Sequence, residues 1–64
     1  MLEYIEYGKA APIAINPNYV VTIQPDGSSF TYITLVGGRS VIIQEKYDKV
    51  MEQFVGHHGF GNGG

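Results

Sequence analysis

Tyr19-Val20-Val21-Thr22-Ile23-Gln24-Pro25-Asp26-Gly27-Ser28-Ser29-Phe30-Thr31-Tyr32-Ile33-Thr34-Leu35-Val36-Gly37-Gly38-Arg39-Ser40-Val41-Ile42-Ile43 is the stretch that decides the fold. Its first five residues are all β-branched or aromatic, with no helix former among them, which is the composition of a half-buried strand. Pro25-Asp26-Gly27-Ser28 predicts a turn, because proline pre-sets φ and glycine adopts a positive φ cheaply. Phe30 to Leu35 is a second strand, and Gly37-Gly38 predicts a hairpin of the primed turn types before a third strand, Arg39 to Ile43. Two hairpins in succession make an antiparallel meander. Alternation along the middle strand sets Thr31, Ile33 and Leu35 on one face and Phe30, Tyr32 and Thr34 on the other. Both faces are therefore partly apolar.

Upstream, Leu2 to Tyr7 mixes apolar, aromatic and acidic residues and reads as a strand. Gly8-Lys9-Ala10-Ala11 predicts a turn, and Ile13-Ala14-Ile15 a short further strand, with Pro12 suited to a sheet edge because it donates no ladder hydrogen bond. Asn16-Pro17-Asn18 predicts another turn. Downstream the period changes at Glu45. Tyr47, Val50, Met51 and Phe54 recur at helical spacing, so a helix of about 11 residues is expected, closed by Gly56 and supported by a Glu45–Lys49 pair. A helix so short persists only against a surface. Its stripe is expected to cover the face carrying Val21, Ile33 and Val41. The fold class is thus α+β: a small antiparallel β-meander of four to five strands with one C-terminal amphipathic helix. Residues 1–55 form one domain, and 56–64, five of them glycine, form a flexible tail.

A chain of 64 residues buries only roughly 60% of its unfolded surface, and such domains lean on disulfides, metals or partner chains. Cysteine is absent, so disulfides and thiolate metal sites are excluded and oligomerisation is favoured. Charged residues make up 16% of the chain, against the quarter to a third usual for a solvated small domain. Part of the β-surface is therefore expected to be covered by another chain. Net charge is −2, and the four bases Lys9, Arg39, Lys46 and Lys49 are scattered, an arrangement unsuited to phosphate backbones. The start Met1-Leu2-Glu3-Tyr4-Ile5-Glu6 carries acids where a secretory signal carries bases. No apolar run approaches the roughly 20 residues of a membrane span. A soluble cytoplasmic protein is expected, with no membrane contact.

The chemistry-bearing residues do not assemble into a catalytic pattern. His57 and His58 are the only histidines, and they sit side by side in the glycine tail, which cannot hold groups to catalytic precision. Glu3 and Glu6 lie on opposite faces of a strand, while Asp48 and Glu52 share the helix face opposite the apolar stripe. Neither pair converges on a substrate, as paired-carboxylate hydrolysis requires. Gly37-Gly38 joins strand to strand, and the tail glycines lack a Lys-Ser/Thr pair with a following helix, so neither cradles phosphate. No catalytic residue, metal ligand or cofactor is predicted; the chain is expected not to be an enzyme. Tyr4, Tyr7, Tyr19, Phe30 and Tyr32 lie on strands. Lacking a basic groove, they suit core or interface packing better than nucleic-acid stacking.

Ile15-Asn16-Pro17 with Val20, Thr22 and Ile23, then Thr31-Tyr32-Ile33-Thr34-Leu35, Gly38, Val41-Ile42 and Glu45 ahead of the helix ending Val50 to Val55 resemble the small FlbD (SwrD) family of flagellar-operon proteins. That family is distinct from the transcriptional activator sharing its first name. The resemblance runs from about Ile13 to Val55. The chain departs from it at Tyr7-Gly8-Lys9-Ala10, where the family has an Arg-Leu-Asn-Gly turn, in the longer Pro25 to Ser29 turn, and in the glycine tail. The resemblance implies a meander with a terminal helix, no catalytic residues, and a role in motility through protein contact. The function expected is a self-associating, non-enzymatic interaction module, accessory or regulatory in motility or for a phage. It would bind itself and another protein through a sheet edge or a tyrosine-rich face, with Tyr19, Phe30, Tyr32, Arg39 and Phe60 as candidate contacts. The alternative is a small-ligand or nucleotide-binding protein whose pocket for an anionic ligand forms between subunits from Arg39, Lys9 and tyrosines.

Overall fold

A computed structural model describes residues 1–56. Five strands, β1 (Leu2–Glu6), β2 (Ala11–Ile15), β3 (Val20–Asp26), β4 (Phe30–Leu35) and β5 (Arg39–Ile43), precede one helix, α1 (Tyr47–Gly56). The strands form a single antiparallel sheet in the order β2-β1-β5-β4-β3. The meander β3-β4-β5 is therefore joined edge-on by the hairpin β1-β2. That junction is narrow: Glu6 pairs with Ile43, flanked by Tyr7 N–H donating to Ile42 O and Gln44 N–H to Ile5 O, each 2.8 Å.

The two outer strands, β2 and β3, are consecutive in the chain and linked only by Asn16 and a 3-10 turn over Pro17–Tyr19. From Ile15 to Val20 the backbone reaches at most about 17 Å, and less through the tight turn. Four strand spacings in a flat sheet amount to about 19 Å. The sheet is consequently rolled, and its concave side holds the core.

Leu2, Tyr4, Ile15, Ile23, Ile33, Val41 and Ile43 line that concave side, and α1 lays Val50 and Phe54 onto them, both fully buried. Tyr47 and Met51 pack at the margin, so the helical stripe read from the sequence is the buried one. Tyr4 and Phe54 stack with ring centroids 6.5 Å apart, and the Tyr4 hydroxyl donates to Gln53 Oε1 at 2.7 Å. The fully buried Thr31 donates through Oγ1 to the Glu45 carbonyl at 2.6 Å. This bond pins the link between β5 and α1 and satisfies the one buried polar side chain of the described core.

Several local expectations are corrected. Val21 is 54% exposed, and Ile23 occupies the buried position instead. The register shifts between Val20 and Thr22, so Val21 is an extra residue in a bulge and leaves the alternation. Pro25 and Asp26 belong to β3, opposite Thr31 and Phe30, and the turn is Gly27 to Ser29. Proline is tolerated there because β3 is an edge. β2 likewise begins earlier than expected, at Ala11, and includes Pro12.

The β4–β5 loop has three residues, Leu35 facing Arg39 across it, rather than two. Val36 N–H donates to Tyr19 O at 2.8 Å, which keeps Val36 on the β3 side, and Gly37 and Gly38 make the reversal at φ 93° and 80°. The helix starts at Tyr47, so Glu45 is not one helical turn from Lys49. Its carboxylate instead accepts from Lys46 N–H at 3.2 Å.

Candidate functional site

Pleating that buries Leu2, Tyr4, Ile33 and Ile43 turns Ile5, Tyr32 and Ile42 to the convex side of the sheet, where no helix lies. Tyr32 stands opposite Ile42. Tyr7, bonded to Ile42 beyond the end of β1, brings its ring edge-on to Phe30 with centroids 4.6 Å apart. Ile5 and Tyr7 are 42% and 53% exposed, while Phe30, Tyr32 and Ile42 are half-buried. The result is a contiguous aromatic and aliphatic patch across β1, β5 and β4. Rigid aromatic rings with apolar neighbours are the residues that anchor protein interfaces.

A second apolar surface lies at the other end of β4. Tyr19, Leu35, Val36 and Arg39 enclose a recess of about 250 Å³. It adjoins another of about 340 Å³ that shares Tyr19, Leu35 and Arg39 and extends over Ile13, Ile15, Asn16 and Met1. Together they form one shallow groove open to solvent, below or near the low end of the roughly 300–1,000 Å³ of small-molecule pockets. Arg39 is exposed on its rim.

The sequence candidates thus divide between two places. Phe30 and Tyr32 share the convex patch, Tyr19 and Arg39 share the groove, and Phe60 lies outside the described residues, as do His57 and His58. Lys9 does not line the groove; it sits in the β1–β2 turn with its Nζ 3.5 Å from Glu6. Tyr4, considered among the surface aromatics, faces the core. Ile5, Tyr7 and Ile42 were not singled out as contacts, because their meeting with Phe30 depends on β1 pairing with β5, which no local pattern encodes. Leu35 and Val36 were missed for the same kind of reason: the groove exists only because the sheet rolls.

The Tyr4 phenol is pushed up to about 12 by burial and secondarily by the Glu45 carboxylate. Asp48 and Glu52 are exposed on the outer face of α1. No group of three or more His, Asp or Glu residues among the described residues is placed to hold a metal ion. No helix among them is long and apolar enough to cross a membrane.

A family model described as FlbD, flagellar and swarming motility proteins, matches residues 5–58. The match extends the likeness seen over Ile13 to Val55 back to Ile5, in the last part of β1. No curated protein matches the chain, and no solved structure does.

Proposed function

The chain belongs to the FlbD family of flagellar and swarming motility proteins, and from that premise we propose that it is a cytoplasmic, non-enzymatic interaction module that self-associates and contacts another protein through the convex face of its sheet. The observation that carries this reading is the uncovered patch centred on the Tyr7–Phe30 ring pair. A chain with so few charges has little else with which to keep that surface solvated.

The sheet edges are the weaker alternative. Both outer strands carry a proline, Pro12 in β2 and Pro25 in β3, and β3 is also bulged at Val21. Edge proline and bulges are the devices by which sheets discourage strand addition. The face, which lacks any such device, is the better contact surface.

Light scattering during gel filtration tests the self-association. The unmodified chain is expected to run as a dimer or larger assembly at micromolar concentration, and Tyr32→Lys with Ile5→Lys as a monomer of unchanged circular dichroism. In the host, loss of the gene is expected to weaken swarming, and the double variant to fail to restore it. A monomeric unmodified chain, or full rescue by the double variant, would overturn the reading.

A further inference from the structure

We propose that the groove between the start of β3 and the β4–β5 hairpin is a second binding site, one that takes an acidic-apolar segment of a protein partner. An aliphatic side chain of the segment sits in the groove, and a neighbouring carboxylate pairs with Arg39. This deepens the interaction reading by naming the partner's chemistry, and rests on it only in taking the partner to be a protein.

Three observations carry the assignment. The walls supplied by Leu35, Val36, Ile13 and Ile15 are aliphatic, so the occupant's body is apolar. Arg39 is exposed at the rim and makes no ion pair or side-chain hydrogen bond among the described residues, whereas Lys9 is held by Glu6. A guanidinium beside apolar surface is the group best shaped for bidentate capture of a carboxylate. Finally, Asn16 lines the groove, and because its carboxamide oxygen is occupied by Asn18 N–H at 3.0 Å, its NH₂ is the group left for a ligand's acceptor.

The groove therefore offers a cation, an amide donor and an aliphatic floor. A peptide answers with a carboxylate, a backbone carbonyl and an aliphatic side chain. Lys46 and Lys49 are exposed too, but neither lines the groove, where Arg39 is the one cation. A nucleotide fits poorly: one guanidinium faces its several phosphate charges. The groove shares none of its lining residues with the convex patch, so the two surfaces can be engaged together and tested apart.

The test is a titration of the isotope-labelled full chain with acetyl-Leu-Asp-Leu-amide, followed by amide chemical shifts. The same is done with the Asn-containing peptide and with adenosine monophosphate. Saturable shifts are expected at Asn16, Leu35, Val36 and Arg39, with the Asn peptide weaker by up to about fivefold, the value of one exposed ion pair. Arg39→Gln is expected to reduce the Asp peptide to the level of the Asn peptide, with an unchanged melting temperature.

Four outcomes overturn the proposal: no shift at millimolar peptide, equal binding of both peptides, shifts confined to Tyr32 and Ile42, or stronger binding of the nucleotide. Groove shifts produced by raising the protein concentration alone also overturn it, since they assign the groove to a second copy. The four peptide and nucleotide results leave the oligomer measurement on the convex face untouched.

Discussion

Tyr4 joins three roles in one side chain: it fills the core at 7% exposure, stacks on Phe54, and ties α1 down through Gln53. Because its phenol is displaced from 10.0 to about 12, the unfolded chain releases this proton first as pH rises. Folding stability is accordingly intact below pH 10 and falls between about pH 10 and 12, by at most about 3 kcal/mol. Urea unfolding at pH 8 and 11 measures the fall. Tyr4→Phe is expected to lose about 1 kcal/mol at neutral pH with the Gln53 hydrogen bond, and to show a smaller alkaline loss. Ala10 stands at φ 50° in the β1–β2 turn, where a Cβ is crowded. Ala10→Gly removes a left-handed strain of about 1–2 kcal/mol, partly offset by glycine's entropy of roughly 0.5–1 kcal/mol, and should raise the melting temperature. Neither residue could be singled out from sequence. The aromatic pattern of β1 gave no sign that Tyr4 would meet the helix, and Ala10 is an ordinary turn residue until its φ is known.

At the scale of elements, α1 illustrates how much periodicity alone can specify. Tyr47, Val50, Met51 and Phe54 were legible as one stripe, and that stripe is what the core receives. Phe54→Ala is expected to cost about 3–5 kcal/mol, a large share of the stability of any small domain. Unfolding in urea should then begin without added denaturant or nearly so, whereas Phe54→Leu should retain a cooperative transition at a lower midpoint. The strands were legible as strands because β-branched runs and turn residues alternate locally. The bulge at Val21 was not, since an extra residue is defined only by the partner strand. The same limit hid the start of α1: Thr31 holds the Glu45 carbonyl from across the sheet, keeping Glu45 outside a helix that its own sequence would have allowed it to begin.

At the scale of the whole molecule, the sheet order separates what the sequence could express from what it could not. Neighbouring hairpins were readable, but the insertion of β1 beside β5 follows from closing the roll, a long-range choice made by burial on the concave side. The convex patch and the groove both come from that choice, which is why the sequence offers the candidate contacts singly and not in their groupings. If the convex face joins two copies, association adds to folding stability by mass action. The urea midpoint of the unmodified chain should then rise with protein concentration between about 1 and 100 μM, as expected of coupled association. That of the Ile5→Lys and Tyr32→Lys double variant should stay fixed.

The place of β1 in the sheet also has a consequence during synthesis. Of the five strands it leaves the ribosome first, yet one of its two neighbours, β5, is the last of them to be made. Until Ile43 has emerged, the nascent chain presents a hairpin whose inner edge has no proline or bulge to guard it, and α1 is not yet available to cover Leu2 and Tyr4. Translation that stalls or ends before β5 would leave a fragment with its stickiest strand bare. Exposed apolar surface and an unpaired strand edge make such a fragment prone to aggregate and a natural target for chaperones and proteases.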